Sequence, residues 1–407
     1  MTSTVATRGA EAEARHGRSL LLLLGGCSAL GPVSNLMLMP ALPAIRVEFA
    51  TSTAATQSVI SAFLFAFAVG ILFAGPLSDR YGRRPLILAG LAIFIFGCLQ
   101  SALAPSMAWL VGGRVIQAIG SAVLLTVARA VVGDLFTDWR LAQALANLTL
   151  AMMLGTSVSP YLGGAITASL GWHGTFWLMI LLAAAIGIAV LRQLPETRKA
   201  DASASSFAQL GRSSIQVLRN PRFFACAVDV GVIYAVYLVF ISIAPYVMSE
   251  MLGSPPTDFG KYSLLVSAGY FLGNLYISRR ARTGNLARLA QIGCTLQAGS
   301  AVLALALVLA GFNHPLFWFL PMLPLAVGQG LALPHITATA VQLAPGFAGV
   351  ASSLIGFTQQ VIAGAAVQAM GFAPTNTPVP VLTLCAALSL VSFAMLLLAR
   401  RSPAATA

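Results

Sequence analysis

Three side chains in this 407-residue chain sit where charge or titration is costly: Asp229, Arg114 and His335 each interrupt a long apolar run. Of the eleven carboxylates, Asp229 is the one inside such a run. An acid in a membrane-spanning stretch is a candidate proton carrier, because it can be charged in one state and neutral in another. The competing reading is an aspartate near a helix end that stays solvated. Tyr237 follows eight residues on and falls close to the same helical face. His335 is a second titratable candidate, since imidazole changes charge near neutral pH; a structural histidine in a polar seam is its other reading. Arg114, Gln117 and Ser121 are spaced by three and four, so they share one face. Counted from Trp109, an interface aromatic, Arg114 lies roughly 7–8 Å into the membrane at about 1.5 Å per residue. An arginine there needs a cavity or a partner, unless it snorkels to the helix end.

The elements that must position these groups follow from composition. The chain is 58% hydrophobic and 8% charged, against about a quarter charged in globular domains. Apolar runs recur along its whole length, each long enough to cross a hydrocarbon core of about 30 Å as a helix. Runs and breakers give twelve expected spans, at 19–40, 55–75, 85–104, 108–132, 142–168, 174–193, 222–247, 260–278, 286–311, 316–338, 347–371 and 379–399. The expectation is an all-α polytopic membrane protein with two six-helix halves, 19–193 and 222–399. A polar linker over 194–221 joins them, and tails cover 1–18 and 400–407. The linker holds Pro195, Glu196, Arg198, Lys199, Asp201 and Arg212. The net charge of +12 lies in short loops rather than on one soluble face, which argues against nucleic acid. Cys27, Cys98, Cys226, Cys294 and Cys385 are widely spaced within apolar runs, with no metal-ligand spacing.

Orientation follows from lysine and arginine counts. With the amino terminus inside, the inner loops hold Arg80, Arg83, Arg84, Arg140, Arg279, Arg280, Arg282, Arg288, Arg400 and Arg401. The outer loops hold Arg46 and Lys261. Both termini are therefore expected inside. The densest inner loop is Gly75-Pro76-Leu77-Ser78-Asp79-Arg80-Tyr81-Gly82-Arg83-Arg84. Asp79 and Arg83 are four apart and can pair if the helix continues. Asp79 is near the negative end of its own helix and needs a positive partner, either Arg83 or a helix amino terminus from the other half. Gly75 would permit close helix approach and Gly82 the turn. A worn copy, Gly273-Asn274-Leu275 through Arg279-Arg280-Ala281-Arg282-Thr283-Gly284, lacks the aspartate. Two similar halves suit a transporter rocking about a midplane site.

Gly-x-Leu-x-Asp-Arg-x-Gly-Arg-Arg resembles the loop between spans two and three of the major facilitator superfamily. The resemblance implies a cytoplasmic gate of Asp79, Arg83 and a further acid, here Asp134. Arg114-Val-Ile-Gln117-Ala-Ile-Gly120 resembles that family's span-four motif, which implies a part in proton coupling; Ala118 replaces a common glycine. Gly155, Ser159, Pro160, Gly163 and Gly164 form a stripe of small residues suited to close packing. They are similar to the span-five motif of drug antiporters, with serine for the first glycine of its Gly-Pro pair. Pro40-Ala-Leu-Pro43, Ala128-Arg129-Ala130, Gly171-Trp172, Leu333-Pro334, Ala348-Gly349 and Ser352-Ser353 add likeness to the Bcr/CflA group of twelve-span drug–proton antiporters. Many members of that group carry an acid where this chain has Leu36, beside Asn35, and Pro334-His335 replaces Pro-Asn.

The resulting expectation is a multidrug exporter in the bacterial inner membrane, a monomer and not an enzyme, with protons as coupling ion and no cofactor or metal. Its partners would be a small drug or metabolite and the bilayer. Uptake or facilitated diffusion of a metabolite is the second reading, supported by Leu36. Polar and soft residues within apolar helices nominate the cavity: Asn35, Met37, Met39, Gln57, Arg114, Gln117, Tyr234, Tyr237, His335, Gln359 and Gln360.

Overall fold

The structure is a computed structural model and describes residues 2–197, 207–280, 285–312 and 314–401. Arg198, Lys199 and Asp201 of the linker lie outside the described residues, as do Arg282, Thr283 and Gly284 of the second basic loop and the tail beyond Arg401. Among the described residues the first half comprises α1 (Thr2–Leu38), the short α2 (Leu42–Glu48), α3 (Thr53–Tyr81), α4 (Arg83–Ala102), α5 (Met107–Leu135), α6 (Asp138–Leu170) and α7 (His173–Gln193). An amphipathic helix, α8 (Phe207–Leu218), sits within the linker. The second half comprises α9 (Pro221–Leu252), α10 (Pro256–Arg280), α11 (Leu286–Leu309), α12 (Pro315–Gln342), α13 (Ala348–Met370) and α14 (Val379–Arg401). Helix α1 runs through what the sequence suggested was a tail.

Local chemistry sets these boundaries. Ser52, Ser106, Asn220 and Asn285 each cap a helix start, accepting a hydrogen bond from a first-turn amide of α3, α5, α9 and α11. Pro40 and Pro43 lack amide hydrogens, so α1 gives way to a single 3₁₀ turn, Met39–Ala41, before α2. Gly82 ends α3 at φ +91°, a conformation that suits glycine.

Among the described residues, ten helical segments are long and apolar enough to cross a membrane. The two long helices outside that set, α6 and α10, pack on each other between the halves. A Cβ on Gly164 would meet the Pro256 carbonyl at 2.5 Å, and one on Gly260 would meet Tyr161 Cα at 2.9 Å. Protein covers part of their surface, so they need less apolar side-chain area than lipid-facing spans.

The long helices alternate in direction, so α1 starts and α14 ends on one face, called the terminal face below; the opposite face is the far face. Residues buried at the far-face end of both halves join one continuous core with the whole first half. At the terminal face the second half has its own core, built on Phe223, Ile233, Ile336 and Leu354. A cavity separates the halves there.

Candidate functional site

The cavity holds about 400 Å³ and runs from the middle of the bundle toward the terminal-face ends of the helices. Its first-half wall presents Pro32, Leu36, Phe67, Ile71 and Leu125, then Thr126, Arg129, Thr149, Met152, Met153, Thr156 and Ser157. The second-half wall presents Tyr234, Tyr237, Ser267, Tyr270, Asn274 and Gln329 from α9, α10 and α12. Helix α13 adds Ser352, Ser353, Gly356, Gln359 and Gln360. Volume and lining suit an amphiphilic small molecule. No carboxylate lines the cavity among the described residues.

Of the nominated residues, Tyr234, Tyr237, Gln359 and Gln360 reach this cavity. Asn35, Met37, Met39, Gln57 and Gln117 are buried and lie outside it in this conformation. Two of them, Asn35 and Gln117, instead engage Arg114, which has no exposure at all. Its guanidinium donates to Asn35 Oδ1 at 2.6 Å, Gln117 Oε1 at 2.5 Å and the Val59 carbonyl at 3.3 Å. The Phe63 ring lies 4.2 Å from its central carbon. Gln117 then donates to Cys98 Sγ at 2.8 Å. Every one of these partners is neutral. The snorkelling alternative fails, because the side chain turns inward to three acceptors, one for each guanidinium nitrogen.

Asp229 requires a correction. Its side chain does not share the cavity face with Tyr237; it is 5% exposed and lies within the second half, near Ser392 and Cys294. Eight residues in a helix leave two side chains roughly 80° apart at 3.6 residues per turn, enough to put them on different surfaces of α9. Its Oδ1 is buried without a hydrogen-bond partner. His335 is half-buried on α12 and is likewise not part of the cavity lining.

The Gly75–Arg84 turn assembles its charged residues as one cluster. Arg83, 4% exposed, pairs with Asp79 at 2.8 Å and with Asp134 at 2.9 Å, and bonds Ser78 Oγ. Of the two partners anticipated for Asp79, the structure supplies Arg83. Glu196, just past α7, accepts from the backbone amides of Arg83 at 2.9 Å and Arg84 at 3.2 Å. This caps α4 with a carboxylate at its positive end. Arg84 also bonds the Leu191 carbonyl at 2.9 Å, and Arg80 lies 5.5 Å from the Tyr81 ring. Gly82 holds the turn: a Cβ there would meet Glu196 Oε2 at 2.9 Å. Gly75 corrects expectation, because it faces open space rather than a close helix. The terminal face is parted at this point, so nothing closes on it.

At the far face the halves touch directly. Arg46 pairs with Glu250 at 2.5 Å and donates to Thr53 at 3.1 Å, while Thr375 donates to Glu250 at 2.6 Å. Gln57 donates to the Ser242 carbonyl at 3.0 Å, Ser61 to Gln368 at 2.6 Å, and Gln368 to the Ala54 carbonyl at 3.1 Å. The small-residue stripe of α6 serves two neighbours. Gly155 lies against Val33 and Gly163 against the Met37 carbonyl, both in the first half, while Gly164 abuts Pro256 of the second. Ser159 bonds its own helix at Gly155, and the Pro160 carbonyl lies near Gly260.

Sequence reasoning missed this latch, Arg129 as a cavity residue, and the Tyr270–Asn274 and Gln329 positions. The latch had a faint signal: Arg46 is one of two basic residues in the outer loops, and Glu250 ends a span on the same side.

Comparison with known proteins bears on this geometry. The Major Facilitator Superfamily family matches residues 24–367. Multidrug resistance protein D of Escherichia coli K12 is 26% identical over 357 residues, covering 85% of this chain and 86% of that protein. An uncharacterized transporter of Rickettsia bellii is 28% identical, covering 83% and 85% respectively. Multidrug resistance protein MdtL of Escherichia coli O81 is 29% identical over 58% of this chain and 59% of its own length. Among solved structures, a POT peptide transporter in complex with alafosfalin superposes with a TM-score of 0.75 at 14% identity, covering 94% of both chains. A bacterial homolog of the human lysosomal transporter Spinster, inward-facing and occupied, gives 0.69 at 15% identity over 95% of this chain and 99% of that one.

Proposed function

Because the chain belongs to the major facilitator superfamily, we propose that it is a proton-coupled exporter of small amphiphilic drugs, of the bicyclomycin- or chloramphenicol-like class. On this reading it is a Bcr/CflA-type antiporter of the bacterial cytoplasmic membrane, a monomer with both termini in the cytoplasm. One observation carries the reading: an amphiphilic cavity between the two halves, parted at the basic face and closed at the other. Positive loops stay in the cytoplasm, so this conformation faces inward. Relatives bearing multidrug resistance names support a drug as cargo.

The difference between the two faces supports alternating access as the mechanism. Breaking Arg46–Glu250 and the Gln57, Ser61 and Gln368 bonds frees the far face. Closing the terminal face brings the second half against Gly75 and the Asp79–Arg83–Asp134 cluster, which acts as the cytoplasmic gate. Asp229 is the coupling acid we favour: a buried carboxyl with an unpartnered oxygen changes the energy of its helix pair when its proton leaves. Arg114 and His335 are the further coupling candidates. Arg114 would act by holding α1, α3 and α5 in register around a fixed charge.

Drug accumulation in cells, with and without a proton gradient, tests the proposal. Expression should lower accumulation while the gradient stands and not after an uncoupler. Accumulation indifferent to expression overturns the exporter reading. Export indifferent to the gradient favours the second reading, a metabolite facilitator, for which Leu36 in the cavity wall and the acid-free lining speak.

A further inference from the structure

The cavity carries one formal charge. Among its described lining residues Arg129 alone is charged at neutral pH; the others are apolar, hydroxyl, phenol or amide groups. Arg129 is exposed to the cavity and has no hydrogen-bond or ion-pair partner among the described residues. The nearest acid along its helix, Asp134, is taken by Arg83 and Thr197. The hydroxyls of Thr149 and Ser352 already donate to carbonyls of their own helices. Arg129 therefore holds the strongest donors aimed at the cavity, five N–H groups in a rigid fork that stays charged.

A lone cation in a cleft with low-dielectric walls raises the local concentration of anions and repels cations. A planar guanidinium fits carboxylate or phosphonate oxygens two at a time. Apolar side chains of Phe67, Met152 and Met153 share its wall, and three tyrosines face it. We propose that the cargo is an amphiphile bearing an anionic group, a carboxylate or phosphonate, which Arg129 selects, and that lipophilic cations are disfavoured. This rests on the drug-transport reading and, within it, replaces a neutral chloramphenicol-like cargo with one that carries an anionic group.

The test uses purified full-length protein in an uncharged maltoside detergent and three radiolabelled probes. Chloramphenicol is neutral, its hemisuccinate ester adds one carboxylate to the same body, and tetraphenylphosphonium is a lipophilic cation. We expect the hemisuccinate to bind about tenfold or more tighter than chloramphenicol, the scale of one charge-assisted hydrogen bond, and tetraphenylphosphonium weakest. Arg129→Gln should bring the hemisuccinate and chloramphenicol affinities to within about threefold, and Arg129→Lys should keep most of the preference. Chloramphenicol bound as tightly as its hemisuccinate, or a preference that survives Arg129→Gln, overturns the anion proposal and leaves the drug reading standing. Tetraphenylphosphonium bound as tightly as the hemisuccinate overturns it equally. Binding of none of the three removes the drug reading and this proposal together.

Discussion

Helix α5 carries one arginine toward each end of the interface between the halves. Arg114, toward the far face, is sealed from solvent and engaged by Asn35, Gln117, the Val59 carbonyl and the Phe63 ring. Arg129, about 22 Å along the same helix at about 1.5 Å per residue, opens into the cavity with no partner among the described residues. The faces differ in the same sense. Far-face polar groups bond across the halves, whereas the Arg83 cluster bonds α3, α4, α5 and the end of α7 within one half. One guanidinium has spent its donors on structure and the other keeps them for a ligand. A charge inside a transporter thus declares its role through its partners, more than through its depth.

The sharpest way to break this contrast is stability. Arg114→Leu orphans the Asn35 and Gln117 oxygens in a sealed site and should cost about 3 kcal/mol, since charge-assisted bonds are worth roughly 1.5–3 kcal/mol and stranded acceptors add to the loss. Arg129→Leu should stay within about 0.5 kcal/mol, as surface substitutions do. Equal losses in denaturant unfolding would dissolve the distinction. Next in size, Arg83→Ala should cost about 1–3 kcal/mol. A double-mutant cycle with Asp134→Asn should return a coupling of about 1 kcal/mol or more; additivity would show the pair to be incidental.

The far-face latch is weaker, because Arg46 and Glu250 are each 25% exposed and partly exposed pairs contribute about 1 kcal/mol or less. Glu250→Gln should nonetheless raise the population of a form open at the far face up to about fivefold. Labelling of Ser61→Cys by an impermeant maleimide, in a background without the five native cysteines, would read this out; an unchanged rate means the latch does not hold the face shut. The smallest contrast is between two glycines. Gly164→Ala pushes a methyl onto the Pro256 carbonyl and should raise the same labelling. Gly75→Ala enters open space and should not destabilise this conformation, gaining at most about 1 kcal/mol from helix propensity.

Much of this was legible beforehand. The long apolar runs, capped by Ser52, Ser106, Asn220 and Asn285, place the helices, and the i, i+4 spacing of Asp79 and Arg83 gives their ion pair. Tyr234, Tyr237, Gln359 and Gln360 were visible as polar groups in apolar helices, and they reach the cavity. The same rule also picked Asn35, Gln57 and Gln117, which serve Arg114 and the far-face seal instead. Polarity in a span marks a group that needs a partner, and it cannot say whether that partner is cargo or protein. Asp229 shows the angular limit: eight residues on a helix leave a large rotation, and packing decided which side it took.

By itself, then, the sequence determined the membrane solvent, the long helices, the basic face and the Arg83 turn, because hydropathy, capping and i, i+4 reach are properties of local chain. Tertiary structure alone decided that Glu196 caps α4, that Arg46 finds Glu250, and that Arg129 is left without a partner. Those contacts join residues more than a hundred positions apart, or depend on a gap between two rigid halves, and no local pattern encodes either.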